Sequence, residues 1–231
     1  MRRVWILVLA VILIYLTVAY VVLPWAWNIR ARRHPDLSAS PRITHTVEGI
    51  AADPLNIALV GSDGDVVRAL TAAGWHPADP ITFRTSLQII ERTLLKRPDD
   101  TAPVSSLFLF GRKQDLALEQ PVGASPRQRH HVRFWRADPI DQERPLWLGA
   151  ATYDTSVGVS HRTGQVTHHI AADLDAERDK CSADLTRAGA AEDVYYVDRF
   201  HDRLEGRNGG GDAWHTDGRL VVIVLVQPPP H

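Results

Sequence analysis

The sequence predicts an α+β domain, a largely antiparallel sheet with about three helices packed on one face, preceded by one N-terminal transmembrane helix. Three observations carry this. Val4 to Leu23 is an uncharged, almost wholly apolar run between Arg2-Arg3 and Arg30, Arg32 and Arg33. Short alternating or apolar segments then recur along the chain at strand length, and three stretches carry helical spacing with capping residues. Together these elements make an α+β domain whose largely antiparallel sheet carries helices on one face.

The first segment is long enough to cross a bilayer. About 20 residues at 1.5 Å of rise each span roughly the 30 Å hydrocarbon core, and only a helix satisfies its own backbone there. Trp5 at one end and Tyr20, Trp25 and Trp27 at the other suit the interfacial aromatic belts. A cleaved signal peptide has a shorter apolar region and small residues after it, whereas Pro24-Trp25-Ala26-Trp27 is bulky. The expectation is an uncleaved single-pass anchor over 1–27 in contact with the lipid bilayer. Basic residues flank both ends nearly equally, so charge sets no orientation.

Residues 28–52 are polar, dotted with proline and without periodicity, and read as a tether. The domain is expected over 53–227, with a proline-rich tail at 228–231. Leu55–Val60 reads as a strand. Gly61-Ser62-Asp63-Gly64 then supplies turn and N-cap chemistry for a helix over Asp65–Ala73, which Gly74 ends. A second helix is expected over Ser86–Lys96, where Thr85 and Gln88 have capping-box spacing and Pro98 stops it. Strands follow at Ser106–Phe110, Leu116–Glu119, His130–Arg136, Leu146–Tyr153, Val157–His161 and Val166–Ile170. The third helix, Leu174 to about Arg187, places Leu174, Glu177, Cys181 and Leu185 on one face, with Gly189 past its end. Val194–His201 and Leu220–Val226 complete the sheet. The second of these is apolar at every position, as a strand buried on both faces requires.

Composition bounds the function. The 231 residues carry a formal net charge of −1, so no global field points to nucleic acid. The one cysteine, Cys181, lies on the apolar stripe of a helix and reads as a packed core residue. No Gly-x-Ser-x-Gly elbow, Walker lysine or His-Glu-x-x-His spacing occurs, so no metal site is expected and no cofactor is specified.

Polar chemistry concentrates in Arg127-Gln128-Arg129-His130-His131-Val132-Arg133. On a strand, His130 joins Val132 and Phe134 on the core face, while His131, Arg133 and Trp135 point the other way. Val166-Thr167-His168-His169-Ile170 repeats the pattern, with His168 coreward and His169 outward. Two chemistries are compatible with these positions. Arg127, Arg129, His131, Arg133 and His169 could line an anion-binding surface, since guanidinium forks suit phosphate and carboxylate. Alternatively His131 and His169 could act with Asp154 or Asp175 as a His/Asp-based or metal-dependent hydrolase on a phosphate-containing or lipid-derived substrate.

A series of short motifs resembles the LssY C-terminal-like domain family. They are Asp53-Pro54-Leu55-Asn56 leading to Val60-Gly61-Ser62, then Ala73-Gly74-Trp75, Thr101-Ala102-Pro103-Val104-Ser105 and Leu109-Phe110-Gly111-Arg112 with Gln114-Asp115-Leu116. They continue with Ser125-Pro126-Arg127, Arg129-His130-His131-Val132-Arg133, Gly149-Ala150-Ala151-Thr152, and Thr167-His168-His169-Ile170 with Asp175-Ala176-Glu177-Arg178. The resemblance covers roughly Asp53 to Gly189 and implies a bacterial membrane-associated protein. Some members join this domain to membrane segments of the type 2 phosphatidic acid phosphatase kind. This chain has one membrane helix and none of that phosphatase's motifs, so that activity is not carried over. The resemblance assigns no catalytic residue. Three roles follow as expectations: a membrane-anchored domain binding a phosphorylated or acidic envelope ligand, a hydrolase, or an accessory partner of envelope or secretion proteins.

Overall fold

The computed structural model describes residues 2–23, 25–26, 37–78, 106–123, 128–137, 144–159 and 166–227. The chain divides into two units, 1–37 and 38–231. In the first, helix α1 (Arg2–Thr17) continues into a π-helical turn, Val18–Val22. Trp5–Val22 has a mean hydropathy of 2.7, and no residue of that window is buried. By length and composition this helix can cross a membrane, as can a signal sequence at the same place.

The second unit is built on β14 (Leu220–Leu225), in which every residue is buried. It runs parallel to β3 (Ile57–Val60) and antiparallel to β11 (Ala191–Val197). A strand apolar on both faces can only lie between two covered layers. From β3 the sheet extends antiparallel through β9 (Leu146–Val159), β8 (Arg129–Ala137), β7 (Leu116–Pro121) and β4 (His76–Pro77). β10 (Val166–Ile170) pairs with the far half of β9 across a bulge near its Ile170 end. The expected strand Leu146–Tyr153 and the described part of Val157–His161, up to Val159, are thus joined in one long strand.

One face is covered by α2 (Asp63–Ala72) and α3 (Leu174–Arg187). Ser62 and Asp65 form a capping box at the start of α2, and Asp173 accepts from Asp175 N and Ala176 N at the start of α3. Val66, Ala69 and Leu70 of α2 and Cys181 and Leu185 of α3 pack on Ile57, Leu59, Val132, Phe134, Val221 and Ile223. Each such aliphatic side chain contributes about 1.5–3 kcal/mol by leaving water. Gly149 is required beneath this layer, because a Cβ there would lie 2.5 Å from the Phe134 ring. The helix expected over Ser86–Lys96 lies outside the described residues.

The opposite face is also covered. β1 (Ile43–His45), β2 (Ala51–Pro54), β5 (Phe108–Leu109) and β6 (Arg112–Lys113) form a second sheet, ordered β2-β1-β5-β6. Its links to the main sheet include Trp135 Nε1 donating to Arg112 O at 3.3 Å and Arg133 Nη1 donating to Asp53 Oδ2 at 3.3 Å. A short hairpin, β12 (Glu205–Arg207) with β13 (Ala213–His215), lies beyond α3 in sequence.

This layer corrects the expectation of a tether over 28–52 for residues 38–52; residues 28–36 lie outside the described residues. From Ser38 the chain belongs to the domain. Thr44 is buried, and its Oγ1 clamps β2 by donating to Asp53 O (2.8 Å) and accepting from Asp53 N (3.0 Å). Strands of three and four residues carry too few side chains to show an alternation.

Candidate functional site

β8 carries the site because its side chains alternate between two buried layers. His130, Val132 and Phe134 face the helices, and Arg129, His131, Arg133 and Trp135 face the small sheet. Cross-strand register aligns Glu119, His131 and Thr152 in one row and Pro121, Arg129 and Asp154 in the next. Arg129 is 4% exposed, His131 0% and Arg133 7%, so the sequence expectation of an outward basic surface gives way to an interior polar cluster.

Every nitrogen of Arg129 has a contact. Its Nη1 donates to Glu119 Oε2 at 2.7 Å, its Nε to Asp154 Oδ2 at 3.0 Å, and its Nη2 lies 3.2 Å from His168 Nε2. Arg133 holds Asp53, whose second oxygen accepts from Asn208 Nδ2 at 3.4 Å. Burial raises the pKa of Asp53 and of Glu119 above the usual carboxylate range, against the pull of Arg133 and Arg129 respectively.

His131 sits between the two arginines. Burial first, then the charges of Arg133, Arg129 and His168, hold its pKa well below the ordinary histidine value. The ring is therefore neutral at pH 7, with one N–H donor and one acceptor lone pair. Neither ring nitrogen is hydrogen-bonded, and neither is the buried Thr152 hydroxyl across the strand pair. An unsatisfied buried polar group costs about 1–3 kcal/mol, so this pair asks for a partner that the fold does not supply.

The other expected residues divide. Asp154 joins the cluster through Arg129. Of the two β10 histidines it is His168, not His169, that reaches Arg129. His169 Nδ1 instead meets Asp212 Oδ1 at 2.7 Å, and Asp212 Oδ2 accepts from Ile170 N at 3.3 Å. A Cβ at Gly158 would lie 2.5 Å from His169 Nε2, so the ring depends on glycine there. Asp175 is engaged in structure, accepting from Arg178 Nη1 (2.9 Å), Thr216 Oγ1 (2.7 Å) and Asp217 N (2.7 Å). His130 Nδ1 ties β8 to α3 through Glu177 at 2.8 Å. Arg127 lies outside the described residues. Among the described residues no group of three or more His, Cys, Asp or Glu side chains is placed to hold a metal ion. Glu119, Asp53, Thr152, Asn208 and Asp212 were not legible as site residues. Only cross-strand register, which a single sequence does not display, brings Glu119 and Thr152 opposite His131.

Comparison with known families matches residues 37–220 to the family model described as LssY C-terminus. No curated protein and no solved structure matches the chain.

Proposed function

The chain belongs to the LssY C-terminus family, and we propose that it is a membrane-anchored binding domain for an envelope ligand bearing an acidic group, phosphate or carboxylate. The observation that carries this reading is His131, fully buried and neutral, with both ring nitrogens unbonded, between two guanidiniums and opposite an unbonded Thr152 hydroxyl. A ligand oxyanion placed there would accept from the imidazole N–H, the Thr152 O–H and Arg133, turning three buried donors into charge-assisted bonds. The apolar helix over Trp5–Val22 supports anchoring, and a membrane lipid or an envelope or secretion protein is the source of ligand this location favours.

A hydrolase is the second reading, favoured by one observation. Asp212 grips His169 Nδ1 at 2.7 Å, as an orienting carboxylate does in a general-base dyad.

Calorimetric titration of the full-length protein in neutral detergent with dimethyl phosphate or propionate tests the first reading. Saturable binding is expected, weakened at least about tenfold by Arg133→Lys, because an ammonium does not present the planar donors of a guanidinium. Arg187→Ala, at a largely exposed position, should leave it unchanged. Absence of binding by either anion, with hydrolysis of a phosphoester abolished by Asp212→Asn, would favour the second reading. Full-length protein in the membrane fraction after carbonate extraction is expected, and a shortened soluble form would contradict anchoring.

A further inference from the structure

The charges of the cluster restrict what can bind. Two guanidiniums, Arg129 and Arg133, already face three carboxylates, Glu119, Asp154 and Asp53. Every one of these side chains is buried, so water screens little of the repulsion that another anion would meet. Arg129 has a contact on each of its three nitrogens, to Asp154, Glu119 and His168, two of them with carboxylates at 2.7 and 3.0 Å. Arg133 differs. It holds Asp53 through one hydrogen bond of 3.3 Å, and Asp53 sits on β2, in the other layer. The charged groups around Asp53 are Arg133 from β8, Asp154 from β9 and Asp212 from the β12–β13 connection.

We propose that a singly charged oxyanion, a carboxylate or a phosphodiester, enters by exchange for the Asp53 carboxylate on Arg133, and that Asp53 takes up one proton from solvent as it is displaced. This rests on the binding reading above. The exchange breaks the Nη1–H to Oδ2 hydrogen bond and forms one from the same N–H to the ligand oxygen. The one covalent bond made is O–H on Asp53, and the total charge of the cluster is conserved. His131 N–H and Thr152 O–H then gain an acceptor. Burial has already raised the proton affinity of Asp53. Glu119 is a poorer exchange partner, because Arg129 binds it at 2.7 Å. A phosphomonoester dianion would bring a second charge with no second proton acceptor released, so it is disfavoured.

The test is calorimetry of the full-length protein at pH 8 with dimethyl phosphate, in two buffers of different ionisation enthalpy. We expect uptake of about one proton per anion bound, and affinity that falls up to about tenfold per unit of rising pH. Inorganic phosphate, mostly dianionic at pH 8, should bind at least about tenfold more weakly. In Asp53→Asn, proton uptake should vanish and dimethyl phosphate should bind more tightly than to wild type. Phosphatidylglycerol added to the micelles competes if the anion is lipid-borne, and propionate or dimethyl phosphate binds without such competition if it is free. Either supports the exchange. Binding without proton uptake, at an affinity unchanged by Asp53→Asn, overturns the exchange while leaving the binding reading intact. The proton count in wild type decides even if the variant fails to fold. No binding of any anion removes both.

Discussion

His131 and Thr152 stand opposite each other on β8 and β9, both buried and neither hydrogen-bonded. A fold with stability to spare tolerates such a pair only at a cost, and the pair is the kind of local conflict that marks functional sites. Thr152→Val keeps the volume and removes the hydroxyl. We expect it to leave stability equal or higher by up to about 1 kcal/mol in chemical denaturation. Binding of dimethyl phosphate should weaken at least about tenfold, as loss of one hydrogen bond to a charged group, about 1.5–3 kcal/mol, requires.

Arg129 should behave in the opposite way. Its side chain is 4% exposed, and its partners Glu119 and Asp154 are 9% and 3% exposed. Arg129→Met strands two carboxylates in the interior, and breaking a buried pair from one side costs about 3–5 kcal/mol. Thermal unfolding should show that loss without any ligand present.

The buried histidines set an acid dependence. Burial depresses the pKa of His131 and His201 in the folded state below 6.5. The unfolded chain therefore takes up protons first as pH falls below 6.5, and stability is lost until the folded-state values are passed. Each histidine contributes up to about 1.4 kcal/mol per pH unit in that window. Asp53 and Glu119, raised by burial, act with the other sign: their stabilisation is full at low pH and is lost as pH rises through their folded values. The difference in slope between wild type and His131→Leu, from denaturation between pH 5 and pH 7, isolates His131.

Truncation should locate the domain start. A chain beginning at Leu37 retains β1, β2 and the Thr44 clamp and should melt cooperatively. A chain beginning at Asp53 loses β1 and half of β2 and leaves Trp135 and Arg133 under a broken layer. We expect its circular dichroism melt to be lower and broader.

The sequence displayed the elements whose side chains repeat often enough to be read. The third expected helix, Leu174 to about Arg187, coincides with the observed one, since its buried face and its Asp173 cap both lie in local sequence. Leu220–Leu225 announced itself through six consecutive apolar residues. The small sheet did not, because β5 and β6 are two residues each. That omission propagated to the site. With one covered face, Arg129, His131 and Arg133 read as outward. With two, the same alternation makes them the centre of a buried cluster. The contact of His168 with Arg129 has the same origin, since its side of β10 faces the small sheet rather than the helices. Spacing gave the row of basic residues, and the carboxylates that neutralise it came from 10 to 80 residues away.

The most direct measurement is the paired effect of His131→Leu on stability and on anion binding. Leucine fills the ring's volume and brings no polar atom into the cluster. If His131 is held unsatisfied for a ligand, the melting temperature should rise by about 2–4 °C for each kcal/mol recovered in a domain of this size. Calorimetric binding of dimethyl phosphate should fall at least about tenfold in the same protein. A lower melting temperature together with unchanged binding would contradict the account, because it would make His131 a structural residue and place any ligand elsewhere.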